Sequence, residues 1–116
     1  MSKQKLVYIA SPVRAILDRM MHIDDAHKEI IGAATEAAKI VKRAGHIPVS
    51  PVLLWFGVFN DYTDRKLLMR NCLALLKLCD ELYVSKSKYT KFSEGIKIEI
   101  EWAKELGITE VQYESS

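Results

Sequence analysis

The spacing of apolar residues changes period several times along the chain, and the changes divide it into short buried runs and longer helical stripes. Residues 5–10, KLVYIA, form an apolar run with Val, Tyr and Ile, the pattern of a central strand covered on both faces; it ends at Ser11-Pro12. Asp24 or Asp25 then caps an expected helix over AHKEIIGAATEAAKIVKRAG, with Ile30, Ala34, Ala37, Ala38 and Val41 as its apolar stripe and Gly45 as its stop. HIPVSP predicts a second short strand with prolines at its ends, and VLLWFGVFND is apolar and aromatic but too interrupted to assign. From about residue 63 to 79, Leu67, Leu68, Cys72, Leu75, Leu76 and Cys79 recur at helical spacing. DELYVS reads as a third strand. The polar loop KSKYTK leads into a last helix with Ser93 as N-cap and Gly107 as stop, followed by a final strand, TEVQYE.

One residue breaks the pattern of that last helix. At about 100° per residue, Ile96, Ile100, Ala103 and Leu106 gather on one arc, while Lys97, Glu101, Lys104 and Glu105 gather opposite. Glu99 falls inside the apolar arc, within a turn of Ile96 and Ala103. A carboxylate on a docking face is costly unless it is paired or used.

Strands alternating with helices predict a parallel sheet with right-handed crossovers and helices on both faces. The expected fold is a small flavodoxin-like or Rossmann-like three-layer α/β domain with about four to five strands, spanning residues 1–116 as one unit. In such a sheet the ligand crevice lies beyond the carboxyl ends of the strands. The loops that reach it are Ser11 to Arg14, the Pro51 region, and residues 85–93.

Composition narrows the function. A chain of 116 residues with 49% hydrophobic content can build a core without staples. Its 17 basic and 15 acidic residues are spread throughout, leaving a net charge of +2 and no footprint for a nucleic acid polymer or an anionic membrane. No stretch approaches the roughly 20 apolar residues of a membrane span, and the apolar part of MSKQKLVYIA is too short for a signal peptide, so a cytoplasmic location is expected. Cys72 and Cys79, seven apart in one expected helix, are too distant for a disulfide and read as small core residues. His22, His27 and His46 show no ligand spacing, so neither a metal nor a cofactor is expected.

The candidate chemistry gathers at the crevice. Ser93 and Gly95 sit at a helix N-terminus, where free N–H groups and the helix dipole suit a phosphate, and Glu99 lies one turn further in. Equally, Ser93 can be an ordinary cap and Glu99 the partner of a buried Lys, Arg or Tyr. Tyr8 can present its phenol to the crevice or pack in the core; Ser11 and Arg14 are in the right loop for polar recognition, Arg14 with the fork geometry that suits phosphate. Asp61, Asp64 and Arg65 read as a helix start with favourable acids in its first turn, and Asp80 as a turn residue. Trp55, Phe56 and Phe59 can roof a base by stacking or form a contact between subunits.

The strings VYIASP, GHIPVSP, CDELYV and SEGIKIEIEWAKELGI carry a resemblance over nearly the whole chain. The sequence resembles an uncharacterised bacterial and phage family related to nucleoside 2-deoxyribosyltransferases. In that superfamily a glutamate four residues after a glycine on this helix attacks the anomeric carbon, and a tyrosine at the end of the first strand orients it; Glu99 after Gly95, and Tyr8, occupy those positions. The transferases carry an aspartate two residues before the glycine, where this chain has Ser93. The Ser-x-Gly-x-x-x-Glu form is similar instead to deoxynucleoside 5′-monophosphate N-glycosidases, whose serine contacts the phosphate. The aspartate that serves those enzymes as general acid falls on Cys72. The resemblance implies a small-molecule nucleotide as substrate and a homo-oligomer, since relatives build their sites across a dimer. The alternative is a module that binds a nucleotide or nucleotide signal without cleaving it.

Overall fold

A computed structural model describes residues 3–113. Within them, strands β1 (Leu6–Ala10), β2 (Ile47–Val49), β3 (Glu81–Val84) and β4 (Thr109–Val111) form a parallel sheet in the order β2-β1-β3-β4. Helices α1 (Arg14–Arg19), α2 (Ile23–Arg43), α3 (Pro51–Trp55), α4 (Arg65–Leu76) and α5 (Glu94–Leu106) connect them. This is the three-layer parallel α/β fold that the sequence pattern predicts.

Alternation along β1 divides the core. Val7 and Ile9, with Tyr83 of β3, meet Ala37 and Val41 of α2 on one face. Tyr8 and Ala10, with Leu82, meet Cys72 and Leu76 of α4 and Ile96 and Ala103 of α5 on the other. Because the path moves one way from β1 to β2 and then back past β1 to β3, a single hand of crossover sends α2 to one face and α4 and α5 to the opposite one. A third cluster, Ile16, Ala26 and Ile30, joins α1 to α2.

Several local details differ from the sequence expectation. His22, not Asp24 or Asp25, is the N-cap of α2; both acids lie in its first turn, where the dipole favours them. Pro48 lies inside β2 rather than at its end, which an edge strand tolerates, and Pro51 is the first residue of α3, whose Ser50 cap accepts from the Leu53 amide at 3.1 Å. The unassigned aromatic segment is thus α3 followed by a turn at Gly57, whose φ is +85°. In α4 the inward stripe is Leu68, Cys72, Leu75 and Leu76, with Cys72 and Leu76 buried and the two others partly so; Leu67, about 100° away from Leu68, is 47% exposed. Leu106, the last residue of α5, is likewise half-exposed. Cys79 lies in the turn after α4, not in the helix, and both cysteines are free and buried. The polar loop before α5 contains a 3-10 turn at Thr90–Phe92, and Glu114, the end of the expected last strand, lies outside the described residues. Ser93 and Gly107 do start and stop α5: the serine Oγ accepts from the Ile96 amide at 3.2 Å, and Gly107 is left-handed at φ +72°.

The two leucines of α4 should respond differently to truncation. Leu76→Ala should cost about 2–5 kcal/mol in denaturant unfolding, whereas Leu67→Ala should stay within about 0.5 kcal/mol of the parent. Equal losses would place the buried stripe of α4 elsewhere.

Candidate functional site

The reversal of strand order opens a crevice beyond the carboxyl ends of β1 and β3. A cavity of about 360 Å³ occupies it. Ser11 and Arg14 enter from the loop after β1, and Pro51, Val52, Trp55 and Phe56 from the segment after β2. Phe59, Asp61, Arg65 and Cys72 come from the approach to α4 and from α4 itself, and Ser93, Gly95 and Glu99 from the start of α5. The segments after β1, β2 and β3 therefore bring Ser11, Arg14, Ser93, Gly95 and Glu99 to one cavity, while Tyr8 is fully buried in the core and does not line it.

Glu99 is 8% exposed and lies on the buried face of α5, facing the underside of β1. Its partner is Tyr8, whose phenol donates to Oε2 from the middle of the sheet. Burial pushes the Glu99 carboxyl up to about 7, against the opposing pull of the Tyr8 hydrogen bond and the Arg65 charge. The same burial, followed by the Glu99 charge, holds the Tyr8 phenol well above its ordinary value. Cys72, packed in the same cluster, is pushed up to about 11 by burial and then by the charge of Glu99. Its thiol is therefore neutral near pH 7 and a poor nucleophile. Glu99 is thus paired with a buried tyrosine and also forms part of the cavity wall.

The start of α5 supplies backbone rather than side-chain chemistry. Ser93 is buried and its hydroxyl caps the helix. A Cβ added at Gly95 would stand 3.5 Å from Arg65 Nη2 and 3.8 Å from Ser93 Oγ, both ordinary contacts, and the Gly95 φ is not positive. Neither packing nor backbone geometry demands glycine there. Its missing side chain leaves the cavity wall open.

Arg14 is engaged rather than solvated. Nε donates to Asp61 Oδ2 at 2.8 Å, Nη2 donates to the Asp61 carbonyl at 2.8 Å, and the guanidinium stacks 4.2 Å over the Tyr62 ring. Arg65 Nη1 lies 3.5 Å from the other carboxylate oxygen, Oδ1. Asp61 thus stands between two arginines in the cavity wall, and the first turn of α4 contains no acid at all; Asp64 is its N-cap position and accepts instead from the Asn60 amide. Asp61 and Arg65 are the site residues that sequence reasoning missed. The available signal was their four-residue spacing, which reads as an ordinary helical ion pair when the helix is placed one turn too early. Asp80 does make a junction, accepting from the Leu6 amide at 2.9 Å.

The remaining wall is apolar. Trp55 and Phe59 meet edge to face at 5.8 Å, and His27 and Phe56 at 5.1 Å, and all four line the cavity. Ser11 Oγ, on the cavity wall, is shielded from solvent and has no hydrogen-bond partner. An unpaired hydroxyl of this kind is a group that a ligand can satisfy. Among the described residues no group of three His, Cys, Asp or Glu side chains is arranged to hold a metal ion, and no helix is long and apolar enough to cross a membrane.

The raised Glu99 value has a consequence for stability. Above pH 4.5 the unfolded chain releases this proton while the folded chain keeps it, so folding stability falls as pH rises and levels off above about 7. At about 1.4 kcal/mol per pH unit the loss amounts to roughly 3 kcal/mol. Glu99→Gln should remove most of that fall, measured as the difference between the two proteins' unfolding free energies across this pH range. Parallel curves for the two proteins would contradict the burial of an ionisable Glu99.

The fold can be set beside known ones. It aligns with the solved structure of a 2-deoxyribosyltransferase from the psychrotolerant bacterium Bacillus psychrosaccharolyticus, with a TM-score of 0.61 and 19% sequence identity, over 90% of this chain and 69% of that one. At that identity the likeness is one of fold. No curated protein matches the sequence. The model of a domain family of unknown function, DUF7768, matches residues 5–113, nearly the whole length, and the chain belongs to that family.

Proposed function

We propose that this protein breaks or exchanges the N-glycosidic bond of a nucleoside 5′-monophosphate or related nucleotide, with Glu99 as nucleophile. The observation that carries the reading is the placement of Glu99: a buried carboxylate, held by Tyr8, on the wall of a cavity that also receives two arginines and the start of α5. The solved transferase of the same fold supports a nucleoside-related substrate, and the Ser93–Gly95–Glu99 spacing supports the monophosphate form.

The ionised Glu99 oxygen attacks C1′, the bond from C1′ to the base nitrogen breaks, and its electron pair leaves with the base, which takes up a proton from water. Water then hydrolyses the glycosyl ester, or a second base displaces it. Tyr8 holds the attacking carboxylate in position. The amides at the start of α5, with Ser11 and Arg14, receive the phosphate, and Trp55, Phe56 and Phe59 offer faces to the base. A homo-oligomer belongs to the same reading, with the exposed Leu53, Leu54 and Val58 at the contact between copies.

A second reading, a module that holds the nucleotide without cleaving it, is favoured by Cys72. Its neutral thiol, high in pKa, is a weak donor for the departing base.

Incubation with a panel of nucleoside monophosphates should release free base, and Glu99→Ala should reduce release by a factor of about a thousand or more. Release that persists in the variant would remove Glu99 from the chemistry; binding without release by either protein would favour the module. The rate should rise with pH as Glu99 ionises around pH 7. Tyr8→Phe removes a donor to the carboxylate, so the midpoint of that profile should move to higher pH; an unmoved midpoint would show that Tyr8 does not tune Glu99.

A further inference from the structure

Resting on the nucleotide reading, we propose that Asp61 is a built-in competitor for the ligand's phosphate: its carboxylate holds the guanidiniums that the phosphate would take, and binding exchanges one anion for the other. Arg14 gives Asp61 the Nε and Nη2 edge of its fork, Nε to the carboxylate and Nη2 to the main-chain carbonyl, a pair of donors able to grip a phosphate bidentately. Arg65 spans the gap, with Nη1 toward Asp61 and Nη2 beside Gly95 at the start of α5. Ser11 Oγ, buried and unpartnered, lies on the same wall. The donors for an anion are thus assembled, and an internal carboxylate satisfies only part of them.

The segment that carries Asp61 is braced largely from within. It forms no helix or strand between α3 and α4, and its hydrogen bonds are largely internal: Asn60 Oδ1 accepts from the amides of Tyr62 and Thr63, and Asp64 accepts from the Asn60 amide. Its tie to α1 runs through Arg14, which binds Asp61 and stacks on Tyr62, and through Tyr62, whose phenol donates to Asp18 at 2.8 Å. Withdrawing Asp61 therefore leaves the turn intact. A phosphate, with a charge of about −1.5 to −2, can outbid a single carboxylate for two guanidiniums, whereas the neutral sugar of a free nucleoside cannot. The exchange makes the site selective for phosphorylated ligands.

Inorganic phosphate titrated into the full chain near neutral pH, with heat or phosphorus resonance as readout, tests this directly. Asp61→Asn should bind phosphate about tenfold more tightly than the parent, and adding Arg14→Gln should abolish the gain. Unchanged or weaker binding by Asp61→Asn, or no binding by either protein at millimolar phosphate, would overturn the proposal. Should the variant fail to fold, hydrogen exchange of residues 57–64 in the parent decides: phosphate should accelerate it, and unchanged or slower exchange refutes the competition. Base release from nucleotides alongside unaltered phosphate affinity in Asp61→Asn would defeat the competition and leave the glycosidic reading standing. The predicted phosphate binding without base release would do the reverse.

Discussion

The structure depends on keeping a carboxylate inside its core. Glu99 sits under the sheet among Tyr8, Cys72 and Ile96, where an unpaired charge would cost far more than one side chain's burial returns. Tyr8 makes the position tolerable by donating from β1, and α5 is fixed against β1 and β3 at the height where the two groups meet. The cost is not cancelled: the carboxyl still titrates near 7, so the protein gives up stability at neutral pH to hold an ionisable oxygen on the wall of a cavity. A core chosen for stability alone would place an apolar residue there.

Around this pair, each loop at the carboxyl ends of the strands contributes one kind of group. The loop after β1 brings a hydroxyl and a guanidinium, the segment after β2 brings aromatic faces, and the start of α5 brings backbone amides. The lining is mixed in character, with both arginines beside Asp61 and the rings of Trp55, Phe56 and Phe59. Under the proposed function the guanidiniums would meet an anionic group and the rings a flat apolar one.

Most of the fold was legible because its signals are local. Val7 to Ala10 carry the unbroken apolar run of a central strand, Ser93 and Gly107 carry the chemistry of a helix start and stop, and Glu99 stands out against the stripe formed by Ile96 and Ala103. What stayed hidden depends on contacts between distant segments. Arg14 and Asp61 are 47 residues apart, so no periodicity could show that the arginine is already occupied. Leu67 and Leu68 are equally hydrophobic, and only the direction from which the sheet approaches α4 decides which is buried. The segment after Pro51 stayed unassigned for a different reason: a five-residue helix is too short to display a stripe.

The central claim is that Glu99 forms a bond to the sugar. A deoxynucleotide bearing fluorine at the sugar's 2-position slows breakdown of a glycosyl-enzyme, so the intermediate should accumulate and add the mass of the fluorinated sugar phosphate to the intact protein. Fragmentation of the peptide containing IEIEWAK should place that mass on Glu99, not on the exposed Glu101. Base release with no adduct, or an adduct on any other residue, would contradict the role of Glu99.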